Sequence, residues 1–288
     1  MRRKNFTLSP PRACQIREAA LLARIRRSYD LSTLPLQIGP LAIEFTRVAN
    51  PNRVLDDVAR EEDRREKITG RRKREDELHL PYWAELWDSS LGLAHYLVRQ
   101  WSFSGTADSA ISHLAKNKLF NTTSAGRGDP QPVKELNHGD TSSCIRAMDL
   151  GCGMGLTGTV AARLGMQVLF ADLEPPCLLF ARYNSRHNAS RCRARKVNWQ
   201  TDRLKEPFDL ILGADIVYDR SQWPFIDTFL QAHLAPGGAV VIGEPGRSSG
   251  EEFEPWITAR GWKLSRQTQL IPGDNKPIHL LELTRSII

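Results

Sequence analysis

From Ile145 onward, short apolar runs alternate with stretches of helical period. The runs at Ile145–Leu150, Gln167–Ala171, Ala194–Val197, Phe208–Gly213 and Ala239–Glu244 predict strands. Apolar positions spaced three and four apart predict helices at Leu156–Leu164, Pro176–Asn188 and Trp223–Leu234, with another from Glu251 to Arg260. Strand and helix in regular alternation imply a parallel sheet covered by helices on both faces. Two last strands, Lys263–Thr268 and Ile278–Thr284, flank Pro272-Gly273-Asp274-Asn275, a run of turn residues. They predict a hairpin that adds one antiparallel strand. The expected fold class is therefore α/β: a doubly wound, mostly parallel, Rossmann-like seven-stranded sheet with a C-terminal antiparallel hairpin.

Upstream the pattern changes. Leu36–Val48 alternates around Gly39-Pro40 and reads as a small hairpin ahead of the main sheet. Arg53–Glu77 interleaves acids and bases, as in Glu61-Glu62-Asp63-Arg64-Arg65, which predicts a solvated helix and a loop. Pro81-Tyr82-Trp83-Ala84-Glu85-Leu86-Trp87 then opens a helix through about Val98. Its aromatics suit either core packing or a lid over a ligand. Trp101–Ser143 is polar, weakly periodic and longer than connections in compact domains usually are, so it reads as an insertion with one short helix near Ala110–Leu119. The expected domains are a basic extension (1–35), a hairpin and charged linker (36–79) and the main domain (80–288), interrupted at about 101–143.

Composition narrows the function classes. The chain has 288 residues, 41% of them hydrophobic, and a formal charge of +7. No apolar run nears the roughly 20 residues of a membrane span, so no membrane partner is expected. Much of the positive charge lies in the first 29 residues, which hold eight arginines and lysines, almost no acids and no apolar signal core. The Arg71-Arg72-Lys73-Arg74 run is followed by Glu75-Asp76-Glu77, which cancels much of its field and argues against nucleic acid. Five scattered cysteines without a C-x-x-C pair point to a reducing compartment and no metal. The expected location is cytoplasmic, or the mitochondrial matrix if the basic N-terminus is a transit peptide.

Ala147-Met148-Asp149-Leu150-Gly151-Cys152-Gly153-Met154-Gly155-Leu156-Thr157-Gly158 joins the first sheet strand to its helix. Glycines suit a sharp bend pressed against a ligand, and the helix start offers free N–H groups, so this is a nucleotide-binding turn. Gly153-x-Gly155-x-x-Gly158 also fits a dinucleotide fingerprint, which alone is a weak signal. Asp149 tips the choice: a carboxylate at the mouth of the turn repels a pyrophosphate and attracts a cation. S-adenosylmethionine has no phosphate and carries an ammonium and a sulfonium. Asp172, about twenty residues on at the end of the second strand, suits the ribose hydroxyls of either ligand.

These stretches, with Gly213-Ala214-Asp215-Ile216-Val217-Tyr218-Asp219 and Gly243-Glu244-Pro245-Gly246-Arg247, resemble the seven-β-strand class I S-adenosylmethionine-dependent methyltransferases. Within them the chain looks most like the protein-lysine methyltransferases, notably the branch acting on the electron-transfer flavoprotein β subunit. The likeness runs from about Leu80 to Thr284 without the insertion. It implies cofactor contacts from Trp87, Asp149, Gly151, Gly153, Asp172, Trp199 and Ala214, with Asn198 beside Trp199 at the adenine. The Asp215-x-x-Tyr218 element is the feature it shares with the lysine group, and Asp215 and Tyr218 are the expected catalytic pair. Asp215 is expected to grip the incoming ammonium, and Tyr218 to orient it with its ring face and hydroxyl.

The implied function is N-methylation of a lysine on a protein substrate. Base-amine methyltransferases carry Pro-Pro-aromatic after the fourth strand, where this chain has Ile216-Val217. Pro176-Cys177 has the letters of a cytosine-methylating nucleophile but follows the second strand. A small-molecule amine methyltransferase and a non-catalytic S-adenosylmethionine- or nucleotide-binding protein remain as alternatives.

Overall fold

The computed structural model describes residues 12–71, 80–104, 144–188 and 192–285. The short helix expected near 110–119 and most of the basic run at 71–74 lie outside them. The chain begins with α1 (Arg12–Arg26), the hairpin strands β1 (Leu31–Ile38) and β2 (Leu41–Val48), and α2 (Pro51–Thr69). A single 3-10 turn at Tyr82–Ala84 precedes α3 (Asp88–Ser104). The α/β unit follows: β3 (Arg146–Leu150), α4 (Leu156–Arg163), β4 (Gln167–Asp172), α5 (Pro175–His187), β5 (Cys192–Lys196), β6 (Phe208–Ala214), α6 (Trp223–His233), β7 (Leu234–Glu244), α7 (Ser248–Thr258), β8 (Lys263–Leu270) and β9 (Pro277–Thr284).

The main sheet has seven strands in the order β5-β4-β3-β6-β7-β9-β8. The first five run parallel, and β9 enters antiparallel between β7 and β8. The chain leaves β3 towards β4 on one side, and β6 lies on the other. That reversal opens a crevice at the carboxyl ends of β3, β4 and β6, where doubly wound sheets bind ligands.

Both sheet faces are buried, and successive residues of each strand divide between them. Ala147, Val168, Phe170, Leu210, Leu212 and Val241 pack under α3, α4 and α5. Met148, Leu169, Ile211, Val240 and Ile242 pack with Trp223, Phe229, Phe253 and Ile257 of α6 and α7. Burial on both sides is why these strands read as continuous apolar runs rather than alternating ones.

The hairpin is not confined to a linker. Ile38, Ile43, Phe45 and Val48 share a third core with α1, α3, Met154, Leu156 and Phe180. Asn184 and Asn188, one turn apart on α5, hydrogen-bond the backbone of Thr46 and Glu44 in both directions, as a neighbouring strand would. Asn184 also donates to the Met154 carbonyl at 2.9 Å, tying hairpin to glycine turn. α2 buries none of its residues, in keeping with its charge pattern.

Candidate functional site

Strand β3 ends in the glycine turn, where Gly151, Gly153 and Gly155 have φ of 64°, 50° and 84°. That is left-handed backbone, which residues with a Cβ rarely adopt. The glycines divide their work. A Cβ on Gly155 would lie 2.6 Å from Ala181 and one on Gly158 2.2 Å from Phe170, so these two allow α4 to pack on α5 and β4. A Cβ on Gly153 would meet only the Trp83 carbonyl, at 3.6 Å, an ordinary contact, so packing is not what requires this glycine.

Asp172 closes the turn from β4. Its carboxylate accepts from the N–H of Gly153 at 2.9 Å and of Glu174 at 3.0 Å. It is partly exposed, and a carboxylate has further lone pairs for outside donors. Burial pushes its pKa up, against the pull of those backbone N–H groups.

Asp149 departs from the expected position. Its side chain lies behind the turn rather than at the mouth, 1% exposed, and accepts from the Gly158 N–H at 2.8 Å. The reason is strand geometry: Asp149 is in β3 itself, and its side chain points to the face on which α4 begins. Burial raises its pKa to about 8, opposed by the Gly158 N–H and reinforced by nearby Asp172. The consequence for ligand choice is direct. A dinucleotide fold leaves its helix-start N–H groups for pyrophosphate, whereas here the protein's own carboxyl already occupies one.

The aromatic stretch before α3 divides in two. Trp83 packs against Tyr29 and Phe180, with ring centroids 5.4 and 5.8 Å away, and serves the core. Tyr82 and Trp87 stay at the surface of the crevice. Trp87 donates its indole N–H to the Tyr82 carbonyl at 2.9 Å. The Tyr82 ring meets Trp87 and Tyr218 edge-on at 6.4 and 6.0 Å. The core reading holds for Trp83, while Tyr82 and Trp87 are left at the surface.

Trp199, past β5, is partly buried and bonds Gln222 through its indole N–H at 3.1 Å. It approaches Gly151, where a Cβ would lie 3.6 Å from its ring. The Asn198 side-chain oxygen is taken by the Gln200 N–H at 2.9 Å, which leaves its amide nitrogen for other contacts. Ala214 ends β6 with a side chain too small to fill the crevice.

Asp215 follows Ala214 with φ of 56°, uncommon for a residue with a side chain though aspartate tolerates it better than most. Its N–H is held by the Gly243 carbonyl at 2.8 Å. Its carboxylate is 5% exposed and is gripped by Arg247 through two hydrogen bonds, 3.2 Å from Nε and 2.8 Å from Nη2. Tyr218 stands beside it, 48% exposed. Partial burial, with Asp219, Tyr82 and Asp215 nearby, raises its pKa.

Arg247 was noted in the sequence only as part of a resembling stretch, with no role. β6 and β7 are neighbours with Ala214 opposite Gly243, so the residues just past each strand meet. A conformationally free glycine and an arginine beyond a strand's carboxyl end was the available signal.

Of the expected cofactor residues, Gly151, Gly153, Asp172, Trp199 and Ala214 lie at or just past the carboxyl ends of β3, β4, β5 and β6, whereas Asp149 is buried behind the turn. Trp87 reaches the β6 end through Arg247, which bonds Asp215, and through Tyr82, which meets Tyr218. The partly exposed carboxylate of Asp172 fits a nucleoside with free ribose hydroxyls.

A family model described as lysine methyltransferase matches residues 74–253. Protein N-lysine methyltransferase METTL21A of Danio rerio is 39% identical over 105 residues, covering 34% of this chain and 47% of that protein. Electron transfer flavoprotein beta subunit lysine methyltransferase of Danio rerio is 25% identical over 178 residues, covering 60% of this chain and 53% of that protein. The chain spans about half the length of the curated relatives it matches. Among solved structures, the N-methyltransferase NodS from Bradyrhizobium japonicum with S-adenosyl-L-homocysteine aligns at TM-score 0.43 and 19% identity, over 51% of this chain and 81% of that one. The family match covers more than half of the sequence, including the glycine turn, Asp172 and the Asp215–Tyr218 element, and the chain belongs to the lysine methyltransferase family.

Proposed function

We propose that this protein is an S-adenosylmethionine-dependent methyltransferase acting on a lysine side chain of a protein substrate. The observation that carries the reading is the end of the sheet itself: a glycine turn held by buried Asp149 and partly exposed Asp172 stands beside the β6 end that carries Asp215 and Tyr218, with Tyr82 against Tyr218. Bound there, S-adenosylmethionine supplies an activated methyl group on a positively charged sulfur. Asp172 would take its ribose hydroxyls, and Trp199 and Ala214 would flank the adenine. Gly151 and Gly153 let the backbone approach, and Asp149 contributes negative charge from behind as it ionises.

The amine side needs positioning rather than strong acid–base chemistry, and alignment alone contributes several kcal/mol. Lysine has an ordinary pKa of about 10.4, so freeing its lone pair near pH 7 costs roughly 4–5 kcal/mol. Tyr82 and Tyr218 offer ring faces to a cationic side chain as it enters. The Tyr218 hydroxyl would donate to or accept from the nitrogen, and the Asp215 carboxylate would accept from it. No helix among the described residues is long and apolar enough to cross a membrane. We infer a protein partner rather than a membrane or nucleic acid, and a cytoplasmic setting in keeping with its scattered free thiols.

The test is incubation with S-adenosylmethionine carrying a labelled methyl group and fractionated lysate, followed by mapping of labelled bands. Label on a lysine ε-nitrogen is expected. Label only in small molecules would favour a small-molecule amine methyltransferase, and binding without any transfer would favour a non-catalytic binding protein.

A further inference from the structure

The acid expected to meet the amine is already paired. Arg247 bonds both oxygens of Asp215, from Nε to one and from Nη2 to the other. The backbone N–H groups of Gly246 and Arg247 are held by the buried Glu244 carboxylate at 2.7 and 2.6 Å. Asp215 is fixed by its bond to Gly243 in a backbone conformation that persists only where the surroundings impose it. The guanidinium also lies 5.6 Å from the centre of the Trp87 ring, whose neighbour Tyr82 touches Tyr218. An arginine stays charged at any pH a protein survives.

This arrangement bears on the chemistry of the amine. An unpaired carboxylate stabilises an ammonium and keeps its lone pair engaged. A carboxylate neutralised by a fixed guanidinium keeps lone pairs for an N–H but exerts far less pull on the proton. We propose that Arg247 is a positioning residue that neutralises Asp215, so that the site orients the incoming amine without holding it as an ammonium. The inference rests on the lysine-methylation reading above. Other charged or titratable groups face the pair: Tyr218 and Asp219 from the same loop, Glu244 behind Arg247, Tyr82 opposite, and Asp172 from β4.

The test uses the full chain saturated with S-adenosylhomocysteine, with butylammonium as the probe of the amine site, read by calorimetry at pH 7. R247Q is expected to bind butylammonium at least tenfold more tightly than wild type, with no gain for uncharged butanol. The pH profile of methyl transfer by R247Q to the fraction labelled by wild type is expected to shift to higher pH. R247K, which keeps the charge, should stay near wild type on both readouts. Because R247Q orphans a buried carboxylate, D215N/R247Q is measured beside it and should return to wild-type butylammonium affinity. No gain in R247Q, or parallel loss of thermal stability and S-adenosylhomocysteine binding in the single and double variants, overturns the proposal. Failure of wild type to label any protein fraction would instead overturn the functional reading, whatever R247Q binds.

Discussion

The two sides of the crevice are built on opposite plans. On the cofactor side, Asp149 and Asp172 are tied to backbone N–H groups within a continuous stretch of chain, and three glycines hold left-handed conformations. On the amine side, the working groups are partly exposed rings and one ion pair between residues 32 positions apart. The first plan fixes a ligand of constant shape with groups that need little adjustment. The second leaves Tyr82 and Tyr218 at the surface, where the proposed protein substrate would reach them. The difference teaches that invariant chemistry is served by local, buried hydrogen bonds, and access for a protein by side chains projected from separate elements.

Substitutions that strike one side and spare the other sharpen this contrast. The largest effect is expected from Asp215→Ala, which should lower the rate of methyl transfer by about 10²–10³-fold, the usual size for loss of a preorganised polar group. Affinity for S-adenosylmethionine, by calorimetry, should change less than about threefold. Equal loss of both would erase the division. Asp172→Ala should do the reverse and weaken S-adenosylmethionine by about 100-fold, since hydrogen bonds to a charged group contribute about 1.5–3 kcal/mol each. Tyr218→Phe removes one hydroxyl and keeps the ring, so transfer should fall by about fivefold, or about 1 kcal/mol, with cofactor affinity unchanged.

The remaining effect is one of pH. With a pKa near 8, Asp149 is largely protonated at pH 7 in the free protein. A bound cation favours its ionised form, so binding releases a proton below pH 8. Affinity for S-adenosylmethionine should therefore rise from pH 6 to pH 8 and level off above, by at most tenfold per unit. Asp149→Asn should flatten that rise. The folded-state pKa lies above the ordinary 3.8. The stabilising contribution of this group in the free protein is thus full below about pH 4 and lost as pH climbs through 8. The pH dependence of melting in wild type and Asp149→Asn checks the sign.

Much of the fold is legible in the chain because its cues are local. β3, β4 and β6 were expected to within one residue, since burial on both faces writes an apolar run, while the edge strand β5 is polar and largely exposed. β7 begins at Leu234 rather than Ala239: Pro236-Gly237-Gly238 does turn, with Gly237 at a φ of 74°, but Leu234 already pairs with Phe208 of β6 across a register shift. The role of the N-terminal hairpin was not legible. Its attachment depends on Asn184 and Asn188, ordinary polar residues on a helix until β2 lies beside them. In the site, glycine and acid spacing marked Gly151, Gly153 and Asp172. The charge of Asp149 was visible, but its direction followed from which way β3 faces. The Asp215–Arg247 pair was hidden because it depends on β6 lying next to β7, and strand order is not written in either strand.

The central claim is that this crevice selects a cationic nucleoside over a dinucleotide, and titration calorimetry at pH 7 in two buffers of different ionisation enthalpy tests it most directly. S-adenosylmethionine is expected to bind with release of up to one proton, and reduced nicotinamide dinucleotide to give no binding heat. Saturable binding of the dinucleotide, with none of S-adenosylmethionine, would contradict it.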